Sequence, residues 1–277
     1  MAIITISRGT YSGGEDLAKC IADRLGYECI AREVLVEAAR DYGADEGRLH
    51  KALLERPGLL ERLTSERADY IALVQATLCK LVKNDNVVYH GHAGHLLLRG
   101  VPHVLRVRVI ANMELRVRSA MYREGLTRSQ AIEHVAKMDQ ARSKWTKFLY
   151  HVDWQDPSLY DLVVNVDVSG VSSACRIVCT AAGMDEFRTT RESQRVMDDL
   201  ALSTEVKARI IADKSITSPG VDVTATDGVI ITSGTVGSSE EISRISEIAR
   251  TTPGVRGTRS TVEVETHWAL AQGRYMR

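Results

Sequence analysis

Hydrophobic and polar positions along this 277-residue chain follow two rhythms in turn. Ile3-Ile4-Thr5-Ile6 is an apolar β-branched run, and Leu17, Ile21 and Leu25 then recur at helical spacing, with a glycine-containing loop between them. The pattern predicts strand, turn and helix, the helix running from Gly14 to Leu25 and closing at Gly26. Tyr27 to Ile30 predicts a short second strand. Arg32 to Val82 is helical in pattern, broken near Gly43 and Pro57-Gly58, and contains the amphipathic run Leu63, Ala68, Ile71, Leu73, Val74, Leu78 and Leu81. Val87 to His90 and Val104 to Ile110 are buried-strand candidates. Asn112 and Thr127 open two helices, and Asp156-Pro157 stops the second. Tyr160 to Val168 predicts a last strand and Val171 to Ala182 a last helix.

Strands alternating with helices predict the α/β class, a parallel sheet with helices on both faces and ligands at the carboxyl ends of its strands. Beyond Gly183 the texture changes. Residues 184–196 are polar and aperiodic and predict a linker between a first domain, residues 1–183, and a second, residues 197–266. The second opens with a helix from Leu200 to Asp213. Two alternating strands then flank Asp227-Gly228, a strong hairpin signal, and Ser238 caps a helix that leads to the strand Val262 to Glu265. This is a small α+β unit of order αββαβ, and residues 267–277 read as a tail.

Composition narrows the partners. Lys+Arg and Asp+Glu balance at 36 each, so no global field draws the chain to nucleic acid or to an anionic membrane. Locally, Arg99 to Lys147 holds 11 basic against 4 acidic residues, which suits either solvated helix faces or a surface that meets phosphates. Cys20, Cys29, Cys79, Cys175 and Cys179 form no C-x-x-C pair and sit in apolar segments, predicting buried thiols in a reducing compartment. With no leader-like start and no run of about 18 apolar residues, the expectation is a cytoplasmic protein.

The first turn carries the candidate chemistry. A strand passing through Tyr11-Ser12-Gly13-Gly14 into a helix aims backbone N–H groups and the positive helix end at one spot, which suits a phosphate. It resembles the phosphate-binding loop of P-loop kinases, with Glu15-Asp16 standing where G-x-x-x-x-G-K-[ST] has Lys-Ser/Thr. A wider set resembles the cytidylate kinase-like family. It comprises Ser7-Arg8, Ser12-Gly13-Gly14, Leu25-Gly26, Arg32-Glu33, Arg116 and Arg118, Arg123-Glu124-Gly125, Asp139-Gln140-Ala141-Arg142, Asp156-Pro157, Tyr160-Asp161-Leu162 and Asn165. The resemblance covers residues 2 to about 183.

That resemblance implies a P-loop kinase-like fold and transfer of the γ-phosphoryl group of ATP to a nucleoside monophosphate such as CMP or dCMP, with Mg²⁺ as partner. It implies that the backbone of Tyr11, Ser12, Gly13 and Gly14 holds the β-phosphate, with the Ser12 hydroxyl nearest the metal. Arg116, Arg123 and Arg142 would surround the triphosphate and the moving phosphoryl group, since a planar fork suits bidentate phosphate contact. Arg8 and Arg32 would face the acceptor, near His92, and Asp139 would orient one arginine. Two positions depart from the family: Ala31 stands where an Asp usually does, and His92 where an Arg does. They keep open a second reading, a catalytically degenerate protein that senses a nucleotide or another phosphorylated ligand.

His90-x-His92-x-x-His95 has the look of a metal cluster, but no Cys or carboxylate of matching spacing joins it, and it reads as loop histidines beside a phosphate site. Residues 197–266 are similar to a BON domain through Val206-Lys207, the Asp227-Gly228 hairpin with Ile231 to Val236, and Gly254-Val255. The family is associated with membranes, lipids or small ligands. This copy lacks exposed helix aromatics and a strongly basic face, which argues against a membrane and leaves a regulatory, homo-oligomerising or structural role open.

Overall fold

The computed structural model describes residues 2–31, 36, 39–43, 66–91, 93–217 and 220–265. Its first part contains β1 (Ile3–Arg8), α1 (Gly14–Leu25), β2 (Glu28–Ile30), α2 (Glu66–Val82), β3 (Val87–Tyr89) and α3 (Gly94–Leu97). There follow β4 (Val104–Ile110), α4 (Met113–Glu124), α5 (Arg128–Tyr150), β5 (Leu162–Asn165) and α6 (Val166–Ala182). The five strands form one parallel sheet of order β2-β3-β1-β4-β5. β1 lies at its centre, with Ile3 level with Val87 of β3 and with Val104 of β4.

Period-two geometry sends neighbouring side chains of β1 to opposite faces, and both faces are covered. Ile3 packs with Leu78, Val82, Tyr89 and Leu97 on one side. Ile4 and Ile6 pack with Leu17, Ile21, Val107 and Val178 on the other. This double burial is why β1 reads as an unbroken apolar run, and it fixes where the loop after Arg8 emerges.

Four expectations change. β5 stops at Asn165 rather than Val168, because the Asn165 side chain accepts from Asp167 N and starts α6, which Gly170 (φ 68°) interrupts. α5 ends at Tyr150, with His151 in the left-handed cap, and not at Asp156. Cys20 and Cys175, expected as thiols, are joined in a disulfide that links α1 to α6, while Cys29, Cys79 and Cys179 are free. The expected linker is helical from Arg191: Thr190 caps α7 (Arg191–Ala212) through a reciprocal bond with Ser193. Met197 of α7 is buried in the first core, whereas Val206 and Ile210 of the same helix belong to the second. One helix therefore serves both regions. The expected helical residues 44–65 and tail residues 267–277 lie outside the described residues.

After α7 come β6 (Val221–Thr226), β7 (Val229–Val236), α8 (Ser239–Thr251) and β8 (Gly257–Val264), the expected αββαβ order. β6 and β7 pair antiparallel through Asp227 (φ 50°) and Gly228 (φ 78°), and β8 joins β7 in parallel. Positive φ at both turn residues matches the twist of the flanking strands. The Asp199 carboxylate of α7 accepts from both turn N–H groups at 2.8 Å, clamping the hairpin to the helix.

Candidate active site

The loop between β1 and α1 is held open by backbone conformation. Tyr11 (φ 58°) and Gly13 (φ 77°) both take the left-handed region, and α1 begins at Gly14. The N–H groups of Tyr11, Gly13 and Gly14 have no hydrogen-bond partner among the described residues. Unpaired donors at a helix start form a ready anion cradle. Gly14 is required for another reason: a Cβ there would meet Arg8 Cδ at 2.6 Å, so the glycine lets the Arg8 side chain cross the loop.

Asp139 of α5 ties this loop to the arginines. One carboxylate oxygen accepts from Thr10 N (3.1 Å) and Thr10 Oγ1 (2.8 Å), and the other pairs with Arg116 Nη2. Arg116 Nε also donates to Thr10 O at 2.8 Å, and its guanidinium lies over Gly9. Arg116, expected around the triphosphate, is thereby committed to bracing the loop. Arg142 donates to Arg8 O (2.8 Å) and lies 3.8 Å from Asp139 Oδ1. Arg123 meets Glu15 and Asp16, and exposed Arg118 pairs with Glu114 away from the loop.

Ser12 differs from expectation. It is 1% exposed, and its hydroxyl donates to the carbonyls of Gly9 (2.9 Å) and Val109 (3.4 Å). The side chain locks the loop to β4 and does not present a ligand to a metal on the loop. Arg32 and His92 lie outside the described residues. His90 and His95 do not converge on a metal either: Arg8 Nη1 lies 2.6 Å from His90 Nδ1, and His95 Nε2 lies 3.3 Å from Tyr160 Oη. Among the described residues no group of three or more His, Cys, Asp or Glu side chains is placed to hold a metal.

Two cavities open here. One, about 430 Å³, lies over the loop and is lined by Tyr11 to Asp16, Arg123 and Arg142, with Gly170 and Val171 opposite. The other, about 450 Å³, is lined by Ser7, Lys19, Ala31, His90, His95 and Trp154. Arg8, Glu15 and Arg142 line both. The second cavity rests on a buried aromatic and cationic base: the Arg108 guanidinium lies 4.3 Å from the Trp154 ring centre and 5.5 Å from that of Tyr160. Burial pushes the His95 imidazole down to about 4, and Arg108 and Arg106 act in the same direction, so His95 is neutral at pH 7. Trp154, Arg108 and Thr10 carry no sequence signal, because only the fold brings them beneath or beside the loop.

Comparison with known proteins decides the family. The model of the cytidylate kinase-like family matches residues 3–168. The chain belongs to the cytidylate kinase-like family. A cytidylate kinase of Pyrobaculum aerophilum is 27% identical over 178 residues, 64% of this chain and 90% of that protein. An uncharacterized protein from Eubacterium ventriosum shares the fold with a TM-score of 0.54 at 20% identity, over 65% of this chain and 97% of its own. The BON domain model matches residues 198–266. Osmotically-inducible protein Y of Escherichia coli is 36% identical over 67 residues there, 24% of this chain and 33% of that protein. In this cytidylate kinase-like chain the loop fits a phosphate through unpaired N–H groups, while the Ser12 hydroxyl donates to the carbonyls of Gly9 and Val109.

Proposed function

We propose that this chain transfers the γ-phosphoryl group of ATP to a nucleoside monophosphate of the CMP or dCMP kind. The observation that supports this reading is the pair of cavities meeting at Arg8, Glu15 and Arg142. A phosphoryl donor on the loop and an acceptor in the neighbouring cavity would face each other across two guanidinium groups. Such chemistry asks little covalent help of a protein and much positioning and charge neutralisation.

The backbone N–H groups of Tyr11, Gly13 and Gly14 hold the β-phosphate in this reading. Arg142 and Arg8, at the junction, neutralise charge on the moving group, and Arg123 covers the loop from α4. Asp139 and Arg116 keep the loop and Arg142 in place. Mg²⁺ would arrive on the triphosphate, held chiefly by phosphate oxygens and water, and would neutralise charge on the β- and γ-phosphates. Among the described residues no helix is long and apolar enough to cross a membrane, and we place the activity in the cytoplasm, where ATP is supplied, although the Cys20–Cys175 disulfide is of a kind rare in a reducing compartment. α7 gives the BON domain a direct mechanical route to the first core, which favours a regulatory role for it.

The test is a coupled assay of ADP production with CMP, dCMP, UMP and AMP as acceptors. Turnover with a pyrimidine monophosphate well above the acceptor-free rate is the expected result. A second reading, a nucleotide sensor without catalysis, is favoured by the inward Ser12 hydroxyl. If no acceptor raises turnover while ATP still raises the melting temperature, the kinase reading fails and the sensor stands.

A further inference from the structure

The first turn of α1 carries two carboxylates, Glu15 and Asp16, beside an anion cradle. Negative charges suit a helix N-terminus, yet they repel a triphosphate bound at the same place. What they face gives them a use. Asp16 Oδ2 accepts from Arg123 Nη2 at 2.8 Å, and Glu15 Oε2 lies 3.5 Å from Arg123 Nη1. The other Glu15 oxygen accepts from Lys19 Nζ at 2.8 Å. Arg123 and both carboxylates line the loop cavity, and Glu15 with Lys19 lines its neighbour. Glu15 thus bridges a cation of one cavity to a cation of the other.

The end of α4 is fixed to the loop at a second point. Tyr11 Oη donates to Glu124 Oε1 at 2.9 Å, next to Arg123 in the chain. The guanidinium therefore stands over the loop from the last turn of α4, a helix that springs from the carboxyl end of β4 beside that loop. Its side chain is 43% exposed and its partners 39% and 52%, so the pairing is solvated and loose. A phosphate, with more charge and a geometry that matches the fork, is a stronger partner than a solvated carboxylate.

We infer that Glu15 and Asp16 are positioning residues, which hold Arg123 over the phosphate loop in place of a loop lysine and release its guanidinium to the triphosphate when ATP binds. The inference rests on the reading of Tyr11 to Gly14 as a phosphate cradle. It separates two effects of the same carboxylates. Neutralising them removes repulsion toward ATP, so KM for ATP falls; it also lets Arg123 swing into solvent, so kcat falls. A merely structural ion pair produces no such split.

The experiment uses the full chain and measures ADP production with saturating CMP and varied ATP, for wild type, for Glu15→Gln with Asp16→Asn, and for Glu15→Asp with Asp16→Glu. The neutral pair is expected to lower kcat roughly tenfold and KM for ATP roughly threefold. The charge-keeping pair is expected to return kcat toward wild type. A neutral pair with unchanged kcat, or with lowered kcat and unchanged or raised KM, overturns the inference. If the double neutral variant does not fold, Glu15→Gln alone must show the same split at smaller size. Melting temperatures with and without ATP keep the two levels apart. A wild type that ATP does not stabilise overturns the cradle reading and this inference together, whereas a stabilised wild type with no kinetic split in the variant overturns the inference alone.

Discussion

The two regions of the molecule treat their polar groups in opposite ways. In the second region two carboxylates, Glu241 and Asp199, are matched to the donors around them. Glu241 accepts from Thr217 N, Thr217 Oγ1 and Gly237 N, and Asp199 accepts from both N–H groups of the hairpin turn. In the first region, at the carboxyl ends of β1 and β3, donors are left over: three loop N–H groups unpaired among the described residues, with Arg8, Arg123 and Arg142 around them. Satisfied polar groups specify a fold, whereas preorganised unsatisfied ones bind something. The difference points to the first region as the chemical one and to the second as a module whose polar chemistry serves its own structure.

Gly13→Val should disturb that contrast most. The substitution forces a β-branched residue to φ 77° and puts a Cβ 3.2 Å from Val171 Cγ2, so the cradle must distort, at a strain of about 1–3 kcal/mol. Activity should fall at least about 10²-fold, and ATP should no longer raise the melting temperature. An unchanged ATP shift would remove the loop from the site.

A smaller effect tests the buried base of the second cavity. His95 titrates near 4 in the folded protein because burial opposes its charge, against about 6.5 when unfolded. As pH falls below about 6.5 the unfolded chain takes up the proton first, so stability is lost progressively down to about 4 and no further. Between pH 7 and 5 wild type should lose about 2 kcal/mol more than His95→Gln, read from urea midpoints at each pH. Equal losses would mean that His95 is not held neutral beneath the cavity.

The smallest expected effect lies in the second region. Glu241→Gln keeps the contact to Thr217 but turns an amide toward Gly237 N–H, leaving one donor unmatched at a cost of about 1–2 kcal/mol. Stability of the second region should drop in a thermal melt, with kcat for ADP production within about twofold of wild type. A large loss of kcat without loss of stability would place the BON domain inside the chemistry and dissolve the contrast.

Part of this organisation is legible in the amino-acid sequence because its chemistry is local. Gly13 and Gly14, the apolar run of β1, the Asp227-Gly228 turn and the Asn112 and Thr127 caps each act within a few residues, so the chain states them directly. The polar stretch at residues 184–196 misleads, because a helix stabilised by one buried Met197 and a capping bond at Thr190 shows little periodicity of its own. The Cys20–Cys175 bond is invisible in the sequence, since its two halves lie 155 residues apart, and the link from Ser12 to Val109 likewise joins distant parts of the chain, although the Ser12 bond to Gly9 is local.

Residue order alone specifies the strand, loop and helix that can hold a phosphate, the αββαβ order of the second region, and the residue types from which a kinase site is built. What those residues do is settled by tertiary packing. It sets Asp139 against Thr10 and Arg116, turns Ser12 into the fold, lays Arg108 under Trp154, and brings Arg123 onto Glu15 and Asp16. The physical reason is range. Backbone conformation follows from near neighbours, whereas hydrogen bonds and ion pairs among side chains follow from which strand ends the parallel sheet places side by side.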